Sequence, residues 1–328
     1  MKIKFKNATL TLAALMLVCV CVLMVDFYET NSQLWGSKYQ SELASTEVEA
    51  DGKQLLQRAS HALFHAKPLS ANAKMTIDLF GQNLVGEGQY TQAGQGQRCA
   101  SRLEFAFGEG DNPLKILQIC NRGFYYRFQS SRNSPKLKVV DLTRVAEIDS
   151  NSLIANQPTW LASGGLASFL RSLADNFDFE TVEQKVLNET PVLVLRGRWN
   201  EDRLKRIIFG QINYNLIKDR IRWERMPKQL PQSIEIVLGN DGYFPLFPYE
   251  VSFYREREID GEVNEVKIVS LQLFQLDKHA EIPPGHFEVN FEGMEFDDLT
   301  NKFVDRIQDL NQLQRSAQQN RANAGNTR

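Results

Sequence analysis

Apolar residues recur at helical spacing at Leu55, Ala59, Ala62, Leu63 and Ala66, and Pro68 ends the run. Asp51-x-x-Gln54 stands before it as a variant of the capping box, so a helix opens there with one face to bury. Beyond Pro68 the period shortens to two. Met75, Ile77 and Leu79 alternate up to Gly81-Gln-Asn, Leu84 to Gln92 follows, and Cys99, Ser101, Leu103, Phe105 and Phe107 alternate after Gly94-Gln-Gly. Leu114 to Cys120, Phe124 to Phe128 and Leu137 to Val140 continue the series. Turn residues separate these six runs and none of the gaps is long enough for a crossover helix, so the pattern predicts an antiparallel meander.

Between Asp141 and Asn176 the alternation breaks, and Leu166, Phe169, Leu170 and Leu173 mark a helix that begins just after Gly164-Gly165. Strands return at Phe179 to Leu187 and Pro191 to Trp199. Asn200-Glu-Asp caps a short helix, Leu204 to Phe209, and the charged stretch Gly210 to Gln229 reads as an insertion or lid. Ser233 to Gly239, Tyr249 to Arg257 and Glu262 to Leu276 have strand character, and a short strand is expected at Phe287 to Phe291, after Pro283-Pro284. Leu299, Phe303, Ile307, Leu310 and Leu313 return to helical spacing before a polar tail, 318–328, with the composition of disorder. No composition break divides the body, which is expected to be one mainly β domain over 51–317.

Ahead of the body, Lys2, Lys4 and Lys6 precede an uncharged run from Ala8 to Val25. Eighteen residues at about 1.5 Å each span roughly 27 Å, close to the hydrocarbon thickness, and no small-x-small cleavage pattern follows. The expectation is an uncleaved membrane helix at 8–25, a cytoplasmic basic segment at 1–7 and a polar stalk at 26–50. The body would then be exported from a single pass through the inner (cytoplasmic) membrane, to the periplasm or the cell exterior. A long signal peptide that is cut is the alternative.

Charge and chemistry narrow the function mainly by exclusion. Lys and Arg number 38 against 40 Asp and Glu, so there is no basic field for a nucleic-acid backbone. His61 and His65 lie four apart on the first helix without the Glu of a helical zinc protease or an evident third ligand, which leaves them ordinary helix histidines. Gly86-x-Gly88, Gly94-x-Gly96 and Gly108-x-Gly110 do not extend to a phosphate loop, and Ser163-Gly-Gly lacks the glycines of a nucleophile elbow. Asp297-Asp298-x-Thr300 reads as a turn that opens the last helix rather than as a carboxylate pair. No catalytic group, metal or cofactor is expected.

Two cysteines of the body flank the turn Gly108-Glu-Gly-Asp-Asn-Pro113. Pairing the runs around its centre sets residue 99 opposite about 121, so register and an oxidising compartment together predict a Cys99–Cys120 disulfide. Two free, half-buried thiols are the alternative. Phe124-Tyr-Tyr-Arg-Phe128 and Tyr243-Phe-Pro-Leu-Phe-Pro-Tyr249 carry more apolar surface than one sheet face needs for its own core, so the sheet curves around a helix or walls a cavity; plain core packing is the alternative that composition alone favours.

Several runs together resemble a known family. They are Leu79-Phe-Gly-Gln-x-Leu-Val-Gly-x-Gly88-x-Tyr90, Leu117-Gln-x-Cys120-x-x-Gly-Phe124, Trp160-Leu-Ala-x-Gly-Gly165-Leu, Phe177-Asp-Phe179 and Leu195-Arg-Gly-Arg-Trp199, then Leu238-Gly-x-Asp241-x-x-Phe244-Pro245, Pro284-x-x-Phe287 and Asp298-x-Thr300. The chain from Leu55 to Phe303 is in this respect similar to an uncharacterised exported branch of the lipoprotein-carrier (LolA-like) superfamily. The resemblance implies a strongly curved, incompletely closed antiparallel half-barrel with helices across its concave face and a hydrophobic cavity between them, which in the carriers holds acyl chains. A tethered copy departs from the soluble carriers, and no binding residue of theirs aligns with one here. The expected function is non-enzymatic binding of a lipid or lipoprotein acyl chain, with an envelope sensor or scaffold that binds a protein partner as the alternative. Alternation supplies Met75, Ile77, Phe105, Phe124, Tyr126, Phe169 and Leu193 as candidate wall residues.

Overall fold

The computed structural model describes residues 51–79, 82–94, 99–108, 113–130, 135–148, 165–187, 189–205, 221, 223, 226–227, 230–240, 242–259, 261–290, 294–305 and 308. The expected membrane helix, stalk and polar tail lie outside these residues, as do 206–209 of the short helix after Asn200 and most of the expected insertion. Among the described residues no helix is long and apolar enough to cross a membrane.

Helix α1 (Gly52–Phe64) begins where Asp51 adopts an extended backbone and its carboxylate accepts from the Lys53 amide, satisfying one of the free donors of the first turn. Leu55, Leu56, Ala59 and Leu63 form its buried face. Six strands follow: β1 (Leu69–Leu79), β2 (Gln82–Ala93), β3 (Ala100–Phe107), β4 (Leu114–Asn121), β5 (Phe124–Ser130) and β6 (Lys136–Asp141). A helix that the hydrophobic pattern does not reveal, α2 (Leu142–Ile148), comes next, and α3 (Gly165–Asn176) runs without a loop into β7 (Phe177–Leu187). Strands β8 (Thr190–Trp199), β9 (Ser233–Gly239), β10 (Pro248–Ile259) and β11 (Glu262–Asp277) complete a second meander, and a short strand β12 (Phe296–Asp298) precedes helical residues 300–305.

All twelve strands belong to one unclosed sheet, ordered β12-β6-β5-β4-β3-β2-β1-β11-β10-β9-β8-β7. Every ladder is antiparallel except β12 on β6. The two meanders meet at β1 and β11, where Met75 lies opposite Leu271. The sheet curls around α1. Gly52 sits so close to Phe179 of β7 that an added Cβ would be 2.7 Å from the Phe179 Cβ, while at the other end the Leu63 carbonyl accepts from Gln92 of β2. From β7 to β2 is six strand steps, an arc of about 29 Å, yet residues 52 to 63 of a helix span only about 17 Å.

Two stretches differ from the periodicity. Phe287 to Phe291 does not form the expected strand: residues 284–287 are a turn and 288–290 have no regular structure. Its carbonyls are taken by side chains rather than by a ladder, since Arg102 donates to the His286 carbonyl at 3.0 Å and Asn121 to that of Phe287 at 3.2 Å. Residue 298 is both the end of β12 and a cap, its carboxylate accepting from the Thr300 amide at 2.8 Å.

Candidate functional site

Cross-strand register decides which side chains share a face. Met75 is opposite Gly86 and Leu271, and Gly86 is opposite Phe107, so odd-numbered residues of β1 and β3 point to the concave side, where α1 and α3 pack. Met75, Ile77, Phe105, Phe169 and Leu193 all belong to one apolar cluster there, none more than 9% exposed. Leu56, Leu63 and Leu170 close it from the helix side. These side chains fill the space between sheet and helices with their own packing.

Phe124 and Tyr126 do not join them. Tyr126 is opposite Ile119, which is opposite Arg102, and this row faces outward; the Phe124 and Tyr126 rings stack at 6.0 Å on that outer face. Alternation puts the two rings on one side but does not say which. The expected disulfide is also not formed: Cys99 and Cys120 are free thiols. Ser101 is the residue opposite Cys120, which leaves Cys99 before the first residue of β3. Burial pushes Cys99 up to about 11, and burial together with Cys99 pushes Cys120 up to about 12, so neither is a thiolate nucleophile at neutral pH.

A buried polar chain fastens both helices to the sheet at one end. The Leu166 amide, in the first turn of α3, donates to the Tyr90 hydroxyl at 3.1 Å. That hydroxyl donates to Gln92 Oε1 at 2.8 Å, and Gln92 Nε2 donates to the Leu63 carbonyl near the end of α1 at 2.9 Å. Ser60 Oγ adds a link between the helices by donating to the Ala167 carbonyl at 2.8 Å. Gly165 has φ of +58°, and an added Cβ would lie 2.2 Å from the Tyr90 oxygen, so a glycine as the first residue of α3 allows this close approach. Periodicity does not single out Tyr90, which stands between Gln89 and Thr91 with Gly88 and Gln92 on its own face of the strand. Tyr90→Phe is expected to leave the Leu166 amide and the Gln92 amide oxygen without partners and to cost about 1–3 kcal/mol, measured by denaturant unfolding.

The other candidate groups stay apart. The His61 and His65 rings are 4.4 Å apart on α1, and among the described residues no three of His, Cys, Asp and Glu gather as metal ligands would. Asp297 lies in the β12 ladder opposite Lys138, whereas Asp298 serves as the cap described above.

No protein-family profile matches the chain, and no curated protein matches it. Solved structures similar to it share little sequence. A DUF1329 family protein from Desulfovibrio piger is 11% identical over 72% of this chain and 95% of that one, with a TM-score of 0.33. A domain assigned as an outer membrane lipoprotein-sorting protein from Vibrio parahaemolyticus is 9% identical over 72% and 95%, with a TM-score of 0.33. The MucA/MucB complex of Pseudomonas aeruginosa gives 13% over 74% of this chain and 62% of that one, with a TM-score of 0.38.

Proposed function

We propose that the protein is a non-enzymatic binding module of the cell envelope that takes the acyl chain of a lipid or lipoprotein between its concave face and helices α1 and α3. The observation that carries this reading is the way the apolar face is roofed. Two amphipathic helices cover it, the Tyr90–Leu166, Gln92–Leu63 and Ser60–Ala167 hydrogen bonds tie them to the sheet and to each other at the Tyr90 end, and α3 continues directly into β7. Breaking those ties lets the helices lift about the junction at Asn176–Phe177 and bares the cluster of Met75, Ile77, Phe105, Phe169 and Leu193. An entering chain of about 14 methylenes then supplies roughly 11 kcal/mol of transfer free energy against the ordering cost, which is enough for micromolar affinity. In this reading the run at 8–25 holds the protein in the cytoplasmic membrane with its body exported.

The test is titration of the full chain with a fluorescent fatty-acyl probe, displaced by unlabelled lysolipid. Wild type is expected to bind saturably. Tyr90→Phe, which loosens the roof, is expected to tighten binding several-fold by populating the open state, whereas Val237→Ala in the small outer-face cluster leaves affinity unchanged. No saturable binding by wild type, or the same change in both variants, would sink the reading.

The second reading, a protein partner, is favoured by β7, which ends the sheet and leaves Val186 68% and Leu187 45% exposed. An extended segment of an envelope protein would pair along that edge. Glu180, Glu183 and Lys185 on the same strand are the charges that discourage such pairing, which ranks this reading second.

A further inference from the structure

One row of side chains crosses the concave face from the apolar cluster to the sheet edge. In register it runs Tyr90, Leu103, Gln118, Arg127, Lys138 and Asp297, from β2 through β6 to β12. Its middle is unusual. Gln118 is 8% and Arg127 9% exposed, and neither side chain has a hydrogen bond or ion pair among the described residues. A buried guanidinium and a buried amide with no partner among the described residues are costly to maintain unless a ligand supplies one, because each has been taken out of water.

We propose that Gln118, Arg127 and Lys138 form a binding site for a single phosphate or carboxylate group. Gln118 and Arg127 are cross-strand partners, as are Arg127 and Lys138, so amide, guanidinium and ammonium stand side by side and can converge on one small anion. The guanidinium supplies a planar fork of donors matched to two oxygens of such a group. Lys138 is the half-buried outer member, and exposed Lys136 and Asp297 lie beyond it, which gives the anion a path from solvent at the β6–β12 edge. Burial, followed by the Arg127 charge, pulls the Lys138 ammonium below its ordinary range; Lys302 and Lys136 add to the effect and Asp297 opposes it. An anion would relieve both the burial of the ammonium and the like-charge repulsion that Asp297 offsets only in part. On the apolar side the row continues into Leu103 and Tyr90, members of the large core cluster.

Free phosphate and the headgroup of an acyl-bearing amphiphile share this chemistry. The headgroup version rests on the acyl-chain reading above, whereas the anion site itself does not. The full chain in nonionic detergent is titrated with inorganic phosphate, with lysophosphatidylglycerol (one chain, anionic) and with a monoacylglycerol of the same chain length (neutral). Wild type is expected to bind phosphate or lysophosphatidylglycerol saturably, with affinity weakened about tenfold or more in Arg127→Met and partly kept in Arg127→Lys. The melting temperature of Arg127→Met without ligand should be no lower than that of wild type, because a buried charge with no partner among the described residues has been replaced by an apolar side chain of similar length. Phosphate binding identifies a free-anion site, and lysophosphatidylglycerol binding alone identifies a headgroup site. The proposal is overturned if wild type binds neither, or if Arg127→Met binds either as well as wild type does. Monoacylglycerol binding alone would then leave the acyl-chain reading standing without this site. Phosphate binding lost in Arg127→Met, with no uptake of either lipid, would keep the site and reject the acyl-chain reading.

Discussion

Gly88→Ala is expected to yield little folded protein, with a loss of stability above about 3 kcal/mol. A Cβ at this position would stand 1.7 Å from the Glu104 carbonyl oxygen and 3.0 Å from the Phe105 Cα, and the atoms in the way are backbone. To accept the methyl group β2 and β3 would have to separate, and their ladder runs from Gly86–Phe107 to Ala93–Ala100. Gly86→Ala provides the contrast. Its Cβ would meet the Phe107 ring at 2.5 Å, a side chain that can turn aside, so about 1–2 kcal/mol is expected. Thermal melting of the two variants checks the prediction. Equal losses would mean that the strand spacing at Gly88 is not what makes that position intolerant.

The second large effect is expected at Arg255, a buried guanidinium on β10. It donates to the carbonyls of Pro227, Leu230 at 2.8 Å, Trp223 at 2.9 Å and Met226 at 3.3 Å. Trp223 and Met226 pack on the apolar cluster and Leu230 belongs to it, so this one side chain holds part of its cover. Arg255→Ala is expected to cost about 3–5 kcal/mol, which at this chain length lowers the melting temperature by on the order of 10 °C. Hydrogen exchange over 221–232 should rise along with it. Arg255→Lys should recover less than half of the loss, since one ammonium cannot reach carbonyls spread around a planar fork. A melting temperature within about 2 °C of wild type for Arg255→Ala would show that the apolar contacts of Trp223 and Met226 hold the segment without the guanidinium.

Where one face of a strand is buried, the alternation of residues records it, and β1, β3 and β4 were legible for that reason: Met75, Ile77, Phe105 and Ile116 mark a core face. Helices α1 and α3 were legible because their apolar stripes stand beside a capping Asp51 and a Gly-Gly pair. Phe287 and Val289 alternate equally well, yet Arg102 and Asn121 occupy carbonyls in that stretch, and nothing local announces a side chain arriving from about 170 residues away (287 − 121 = 166). The parallel strand β12 is too short to show a period. At the candidate site, alternation assembled five of the seven proposed wall residues but placed Phe124 and Tyr126 with them although they face outward, because a period of two fixes sides only relative to each other. The Gln118–Arg127–Lys138 row was not legible at all. It depends on register between strands, and each residue alone resembles an ordinary polar position.

The seam between β1 and β11 has a consequence for how the chain reaches this structure. Met75 waits for Leu271, 196 residues further on (271 − 75), a longer closure than any other ladder of the sheet requires. Most neighbours within each meander are also neighbours in the chain, whereas joining the middle of the sheet carries the greatest loss of chain entropy of any ladder. Until residues 262–277 are available, β1 and β10 each present an uncovered row of backbone donors and acceptors. A chain that stops short of Glu262 therefore has two open templates for mispairing at the place where the complete protein has none, and the final hairpin works as the closing stitch of the sheet.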